Sequence, residues 1–177
     1  MDFGKTINLA WRIVKLEKPA SREAADDPQG LFPTLLVIAI GGALSSAGGS
    51  IFNPAVVAAG LVLGPIATVI MVGIYHLIAL AFGGKATFGQ YLQSAGLGAG
   101  LVSWIGVIPF IGGLIQLWAI PTMIISTEEV HVLDRTKAVL TILIPAVLAL
   151  LCCCAVVIFA WGAIVSAIQS NQFFNTN

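Results

Sequence analysis

Hydrophobic residues occur in runs too long for a soluble core, parted by short breaker stretches. Residues 31–50 are the first run, and twenty residues at helical rise cover roughly 30 Å, the hydrocarbon thickness of a bilayer. Residues 51–54 (Ile51-Phe52-Asn53-Pro54) form an uncharged turn. Residues 55–82 predict a second helix of roughly 42 Å, long enough to tilt, with Gly64-Pro65 as a kink site. A third span runs from Phe88 to about Val107 and is rich in glycine (Gly96, Gly98, Gly100). A turn at residues 109–113 interrupts a fourth span that begins near Ile108 and ends at Thr127; a short re-entrant hairpin fits these two segments nearly as well. Residues 128–137 read as a polar loop. Residues 138–168 read as a long fifth span containing Pro145, followed by an uncharged tail. The expected fold is all-α and polytopic, with five transmembrane helices.

The polar punctuation sets the ends of these helices. Between the second and third runs lies AFGGKATFGQYL, residues 81–92. It holds Lys85, the only formal charge between Asp27 and Glu128. Gly83 and Gly84 read as a helix end, where glycine reaches the left-handed cap conformation without steric cost. Thr87 and Gln90 have the spacing of a capping box that opens the next helix. With Phe88 and Tyr91 suited to the headgroup layer, this reads as a tight turn at a membrane surface. Ahead of the first span, residues 1–18 read as a basic amphipathic helix. Its apolar positions Phe3, Ile7, Ala10, Trp11 and Val14 recur at helical spacing, beside Lys5, Arg12 and Lys15. Such a helix would lie on the cytosolic leaflet, with Lys5, Trp11, Arg12 and Lys15 at the membrane interface; the plainer reading is a helix packed on the protein. Pro19 is expected to end it, and Ser21 to cap a short polar turn. The chain thus divides into a cytosolic segment, residues 1–30, and a membrane domain, residues 31–177.

Composition strengthens this picture: 58% of residues are hydrophobic and 9% charged, against about a quarter charged in soluble domains. A formal net charge of zero argues against a nucleic-acid partner. All eight Lys and Arg residues lie in residues 1–30, the Lys85 turn or residues 128–137. Five spans with a cytosolic amino terminus put every one of them inside, as the positive-inside rule expects. The carboxy terminus then lies outside. Residues 1–30 lack an apolar segment ahead of a small-residue cleavage site, so the amino terminus is expected to stay cytosolic.

Candidate chemistry is sparse. Gly83-Gly84-Lys85-Ala86-Thr87 lacks the glycine and the hydroxyl residue that a phosphate loop requires, since Ala79 and Ala86 occupy those positions. Adjacent helical residues point about 100° apart, so Cys152, Cys153 and Cys154 cannot converge on one metal ion. They read as small apolar filler. His76, beside Tyr75 in the second span, is an intramembrane polar candidate with Gln116 as a hydrogen-bond partner; the competing reading is an interhelical bond that only fixes packing. His131 with Glu128, Glu129 and Asp134 reads as a solvated loop rather than a cation site. Small-residue pairs such as Gly60/Gly64, Gly96/Gly100, Ala39/Ala43 and Gly41/Ser45 permit close helix approach within the chain, or between copies in a homo-oligomer. No Asp, Glu, Lys or Arg lies inside any span, against a charged-substrate transporter. No pair for acid–base catalysis is present, against an enzyme. No cofactor is expected.

The order of these pieces resembles the Yip family of membrane proteins that interact with Ypt/Rab GTPases, and is most similar to its short prokaryotic members. The resemblance rests on Pro19 and Asp27-Pro28 before the first span, then Phe82-Gly83-Gly84-Lys85-Ala86-Thr87-Phe88. The Pro109 turn, Leu117-Trp118, and Val130-His131 through Lys137-Ala138 complete it. It implies a five-span helical fold, no catalytic residues and a role in membrane organisation or trafficking. A prokaryotic inner membrane is the expected location. The lipid bilayer is the expected partner, with a protein partner at the cytosolic face. The alternative is a protein that handles lipid or an uncharged solute in a cavity near His76 and Gln116.

Overall fold

A computed structural model describes residues 3–50 and 52–175, with side chains described as far as Gly162 except at positions 149, 150 and 153. The outermost residues of the expected terminal segments, Ile51 and the side chain of Cys153 therefore lie outside the described residues. Every regular element among those described is helical: α1 (Phe3–Val14), α2 (Lys18–Ala25), α3 (Leu31–Gly49), α4 (Pro54–Ala81), α5 (Phe88–Tyr91), a π-helical turn (Leu92–Gly96), α6 (Leu97–Trp104), α7 (Ile111–Ile115), α8 (Ala119–His131) and α9 (Arg135–Asn175). Short 3-10 turns follow α6 and α7. The chain forms two compact units, Met1–Ile142 and Leu143–Asn177. The second is the remainder of α9, with Val156, Val157, Ile158, Phe159 and Trp161 exposed.

Among the described residues two helices are long and apolar enough to cross a membrane: α3, with mean hydropathy 1.8, and α4, with 2.4. Their ends follow the sequence closely. Asn53 caps α4 by accepting from the Ala55 N–H at 3.1 Å, with Pro54 in the first turn, where a missing N–H costs nothing. Pro65 lies inside α4 without ending it. The expected third and fourth spans form a hairpin of interrupted helices. It turns at Phe110, which has φ 64° and is 96% exposed.

Glycines set how these helices meet. A Cβ on Gly64 would stand 2.8 Å from the Gly42 Cα, and one on Gly42 would strike the Gly60 carbonyl. The backbones of α3 and α4 therefore nearly touch, as small-residue pairs allow. On its other side α3 runs parallel to α6: a Cβ on Gly41 would lie 2.5 Å from the Gly100 carbonyl, and one on Gly48 would strike that of Gly106. Trp104 Nε1 donates to the Val37 carbonyl at 2.9 Å across the same seam.

Four local expectations are corrected. Pro19 does not end the first helix; it lies in the opening turn of α2, and the chain reverses before it at Leu16, φ 66°. Ser21 is accordingly buried inside α2 rather than capping a turn. Residues 128–137 are not a loop, because α8 continues through His131 and only Val132, Leu133 and Asp134 separate it from α9. The tail expected after residue 168 is helical as far as Asn175.

The apolar stripe of α1 is also rotated from its expected setting. Leu9, Ala10 and Ile13 are buried, whereas Phe3 and Trp11 are exposed. The cause is Gly98: a Cβ there would lie 2.8 Å from Ile13 Cγ2, so the bare glycine is the socket for Ile13. Leu9, Ala10 and Ile13 join Ala20, Ala24, Val37, Leu97 and Leu101 in one apolar cluster. The helix is amphipathic, but its apolar face is spent on the protein.

Candidate functional site at the charged end of the bundle

The α4–α5 turn, the end of α8 and the helices α1 and α2 meet at one end of the Met1–Ile142 unit. Gly83 has φ 93°, and the Gly84 N–H returns to the Ala79 carbonyl at 2.8 Å. Gly84 cannot take a side chain, since a Cβ would sit 2.5 Å from His131 Nδ1. The Lys85 N–H then donates to the His131 carbonyl at 3.2 Å, tying the turn to the last residue of α8. Thr87 and Gln90 form the capping box read from their spacing: Thr87 N–H donates to Gln90 Oε1 at 3.0 Å, and Gln90 N–H to Thr87 Oγ1 at 3.4 Å. Lys85 and Thr87 are exposed and Phe88 is at the boundary of exposure.

Behind the turn is a buried polar cluster. His76 Nδ1 and His131 Nε2 are 3.3 Å apart, and His131 is wholly buried. The Tyr91 ring meets His131 edge-on at 4.7 Å between centroids, and Phe88 meets His76 likewise at 5.7 Å. Tyr91 O–H and Thr127 Oγ1 are 2.7 Å apart, and Thr127 also donates to the Met123 carbonyl at 2.7 Å. His131 Nδ1 has no hydrogen-bond partner. His131 lies beyond the apolar run that ends at Thr127, and its pKa is pushed down to about 4, first by burial and then by the neighbouring His76.

Gln116 is not the partner of His76. It lies in the arm that returns from Phe110, where its Oε1 is 3.5 Å from Ser103 Oγ and it lines a cavity of about 270 Å³ with Ser45, Gly48 and Gly106. Reversal of the chain at Phe110 places Gln116 beside the end of α3, whereas His76 lies near the end of α4. Tyr75 is buried in the apolar cluster around Val72, Tyr91 and Met123. His131, expected in a solvated loop, is instead His76's partner. No spacing marked this pairing: Thr122/Ser126 and Thr127/His131 lie on two different sides of α8, and all four are buried.

Charges surround this cluster. Lys5 pairs with Asp27 at 3.0 Å, and Arg12 with Glu17 at 3.0 Å and Glu23 at 2.7 Å. Lys18 pairs with Glu128 and Glu129, and Arg22 donates to the Glu129 carbonyl. Glu23, then Glu17, raises the Arg12 pKa; Glu128, then Glu129, raises that of Lys18. The Gln29 N–H, then Lys5, lowers that of Asp27. Lys15 lies over the exposed Trp11 ring, 5.6 Å from its centroid. Of the four residues expected at the membrane interface, Lys5 and Arg12 are thus bound to carboxylates, and Trp11 and Lys15 face outward as a pair. Sequence reasoning missed Gln93. With its amide nitrogen turned to the Asp27 and Ala24 carbonyls (3.0 and 2.9 Å) and its oxygen to the Leu31 N–H (3.2 Å), it stitches α2 to the start of α3. That orientation is assigned from its partners. Gln93 belongs to the π-helical turn, a feature frequent at functional sites.

An apolar helical pair with one elaborated polar end and no metal-ligand cluster among the described residues defines an α-helical membrane protein. The chain belongs to the Yip family: residues 17–158 match the Yip1 domain. That family consists generally of non-enzymatic membrane proteins. No curated protein and no solved structure matches the chain.

Proposed function

We propose that the protein organises or shapes membrane, or scaffolds a partner, through the charged end of the bundle, acting without catalysis. In this reading the chain crosses the bilayer five times, with the amino terminus and all basic residues on the cytosolic side. The single observation that carries it is convergence. The charged segments, far apart in sequence, gather at one end: Lys18 reaches Glu128 and Glu129, and the Lys85 turn bonds to His131. The opposite turns, at Asn53 and Phe110, carry no charge. Lys85, Trp11 and Lys15 are among the exposed groups there that lipid or a partner can reach.

Cysteine-accessibility mapping at Lys85, Asp134 and Asn175 in a cysteine-free background tests this. Labelling of the first two only from the cytosol and of the third only from outside is expected. Labelling of Asn175 from the cytosol would mean an even number of spans and would overturn the five-span reading.

A further inference from the structure

Half of the cations at the charged end already have a carboxylate. Lys5, Arg12, Lys18 and Lys137 are each ion-paired. Among the described residues Lys15, Arg22, Lys85 and Arg135 are not; Lys15 lies over the Trp11 ring, whereas Arg22 and Lys85 both line one small cavity of about 170 Å³ with Asp26, Gln90, Val130 and Val132. Both sit on a fixed frame, Arg22 through the Glu129 carbonyl and Lys85 through its own N–H to His131. Gln90 is fixed by the capping box, which occupies its oxygen and leaves its amide nitrogen as a donor. Asp26 also has no ion-pair partner among the described residues, so the cavity presents two cations, one amide and one anion.

Groups of both signs around one cavity complement a ligand that also carries both. The cavity is below the roughly 300 Å³ at which pockets begin to hold drug-sized molecules, so it fits a headgroup and excludes acyl chains. The chains have a place nearby, because the exposed apolar face of α4 ends at Leu77 and Leu80, five residues before Lys85. We propose that this cavity binds the headgroup of an amino-phospholipid, with Arg22, Lys85 and Gln90 holding the phosphodiester and Asp26 holding the primary ammonium. An ammonium with N–H groups suits a carboxylate acceptor, and the guanidinium suits phosphate oxygens.

The proposal rests on this end lying at the membrane surface, which labelling at Asp134 tests separately. Cytosolic labelling without lipid discrimination would sink the cavity alone. The test is retention of added lipid by the detergent-solubilised full chain, read by native mass spectrometry with equal phosphatidylethanolamine and phosphatidylglycerol. Preferential retention of phosphatidylethanolamine is expected. Asp26→Asn should lower that preference about tenfold, the equivalent of one charge-assisted hydrogen bond, and leave phosphatidylglycerol no weaker. Lys85→Gln should weaken both lipids, and both substitutions lie at exposed positions that leave the fold intact. An unchanged lipid ratio in Asp26→Asn would overturn the proposal. Equal displacement by soluble glycerophosphoethanolamine would overturn its assignment to a membrane lipid.

Discussion

Away from the charged end the helices meet backbone to backbone, Gly48 against Gly106 and Gly42 against Gly60 and Gly64. At the charged end they meet through imidazoles, hydroxyls and ion pairs, His76 with His131, Tyr91 with Thr127 and Lys18 with Glu128 and Glu129. The glycine end has no groups that titrate near neutrality. It is held by dispersion, which grows as backbones approach and vanishes once a side chain holds them apart. The charged end is held by groups whose protonation and pairing respond to the surroundings. One end is therefore built for invariance and the other for response, in keeping with the role proposed for the charged end.

The largest expected effect lies at the glycine end. Gly42→Leu has no room on either side, because its neighbours are the Gly60 carbonyl and the Gly64 Cα, neither of which can swing away. It should cost about 3 kcal/mol, the upper part of the range for overpacking, measured as thermal or denaturant stability in detergent. A wild-type midpoint would show that the α3–α4 contact is not what holds this end.

Acid should then separate the two ends. The His131 pKa, about 4, lies below its ordinary 6.5. The folded state thus favours the neutral ring, and its contribution is fully present above 6.5 and lost as pH falls toward 4. Asp27 acts in the same direction lower down: its pKa is depressed from 3.8, so its contribution disappears only below that. Hydrogen exchange should show the end of α8 and the Lys85 turn loosening between pH 6.5 and 4, with α3 and α4 unchanged around Gly42. His131→Phe should remove that pH dependence. Uniform loosening of both ends would contradict the division.

The smallest effect is expected at Tyr91→Phe. Thr127 keeps its bond to the Met123 carbonyl, so no hydroxyl is stranded and the loss should be about 1 kcal/mol or less. A loss as large as that of Gly42→Leu would mean that polar contacts, not glycine packing, dominate.

Much of this was legible in the residues themselves. The ends of α3 and α4 follow from run length, Asn53-Pro54 and Gly83, because desolvated backbone must be helical and only breaker residues end it. The capping box was readable because it depends on three-residue spacing alone. Surroundings were not: α3 and α4 are both predominantly apolar, yet 39% of one is buried against 11% of the other. A uniformly apolar helix carries no periodic mark of which face meets protein and which meets lipid. Nor could spacing along the chain show that His76 meets His131 rather than Gln116, since the hairpin reversal at Phe110 decides that.

The sequence by itself determined a helical membrane chain with its charges confined to three segments, because both properties depend on local composition. Only the tertiary structure decided that the apolar face of α1 is covered by Gly98 and its neighbours, that His131 is buried, and that Arg22, Asp26 and Lys85 share a cavity. These depend on contacts across tens of residues, where the absence of a single Cβ sets which surfaces can meet.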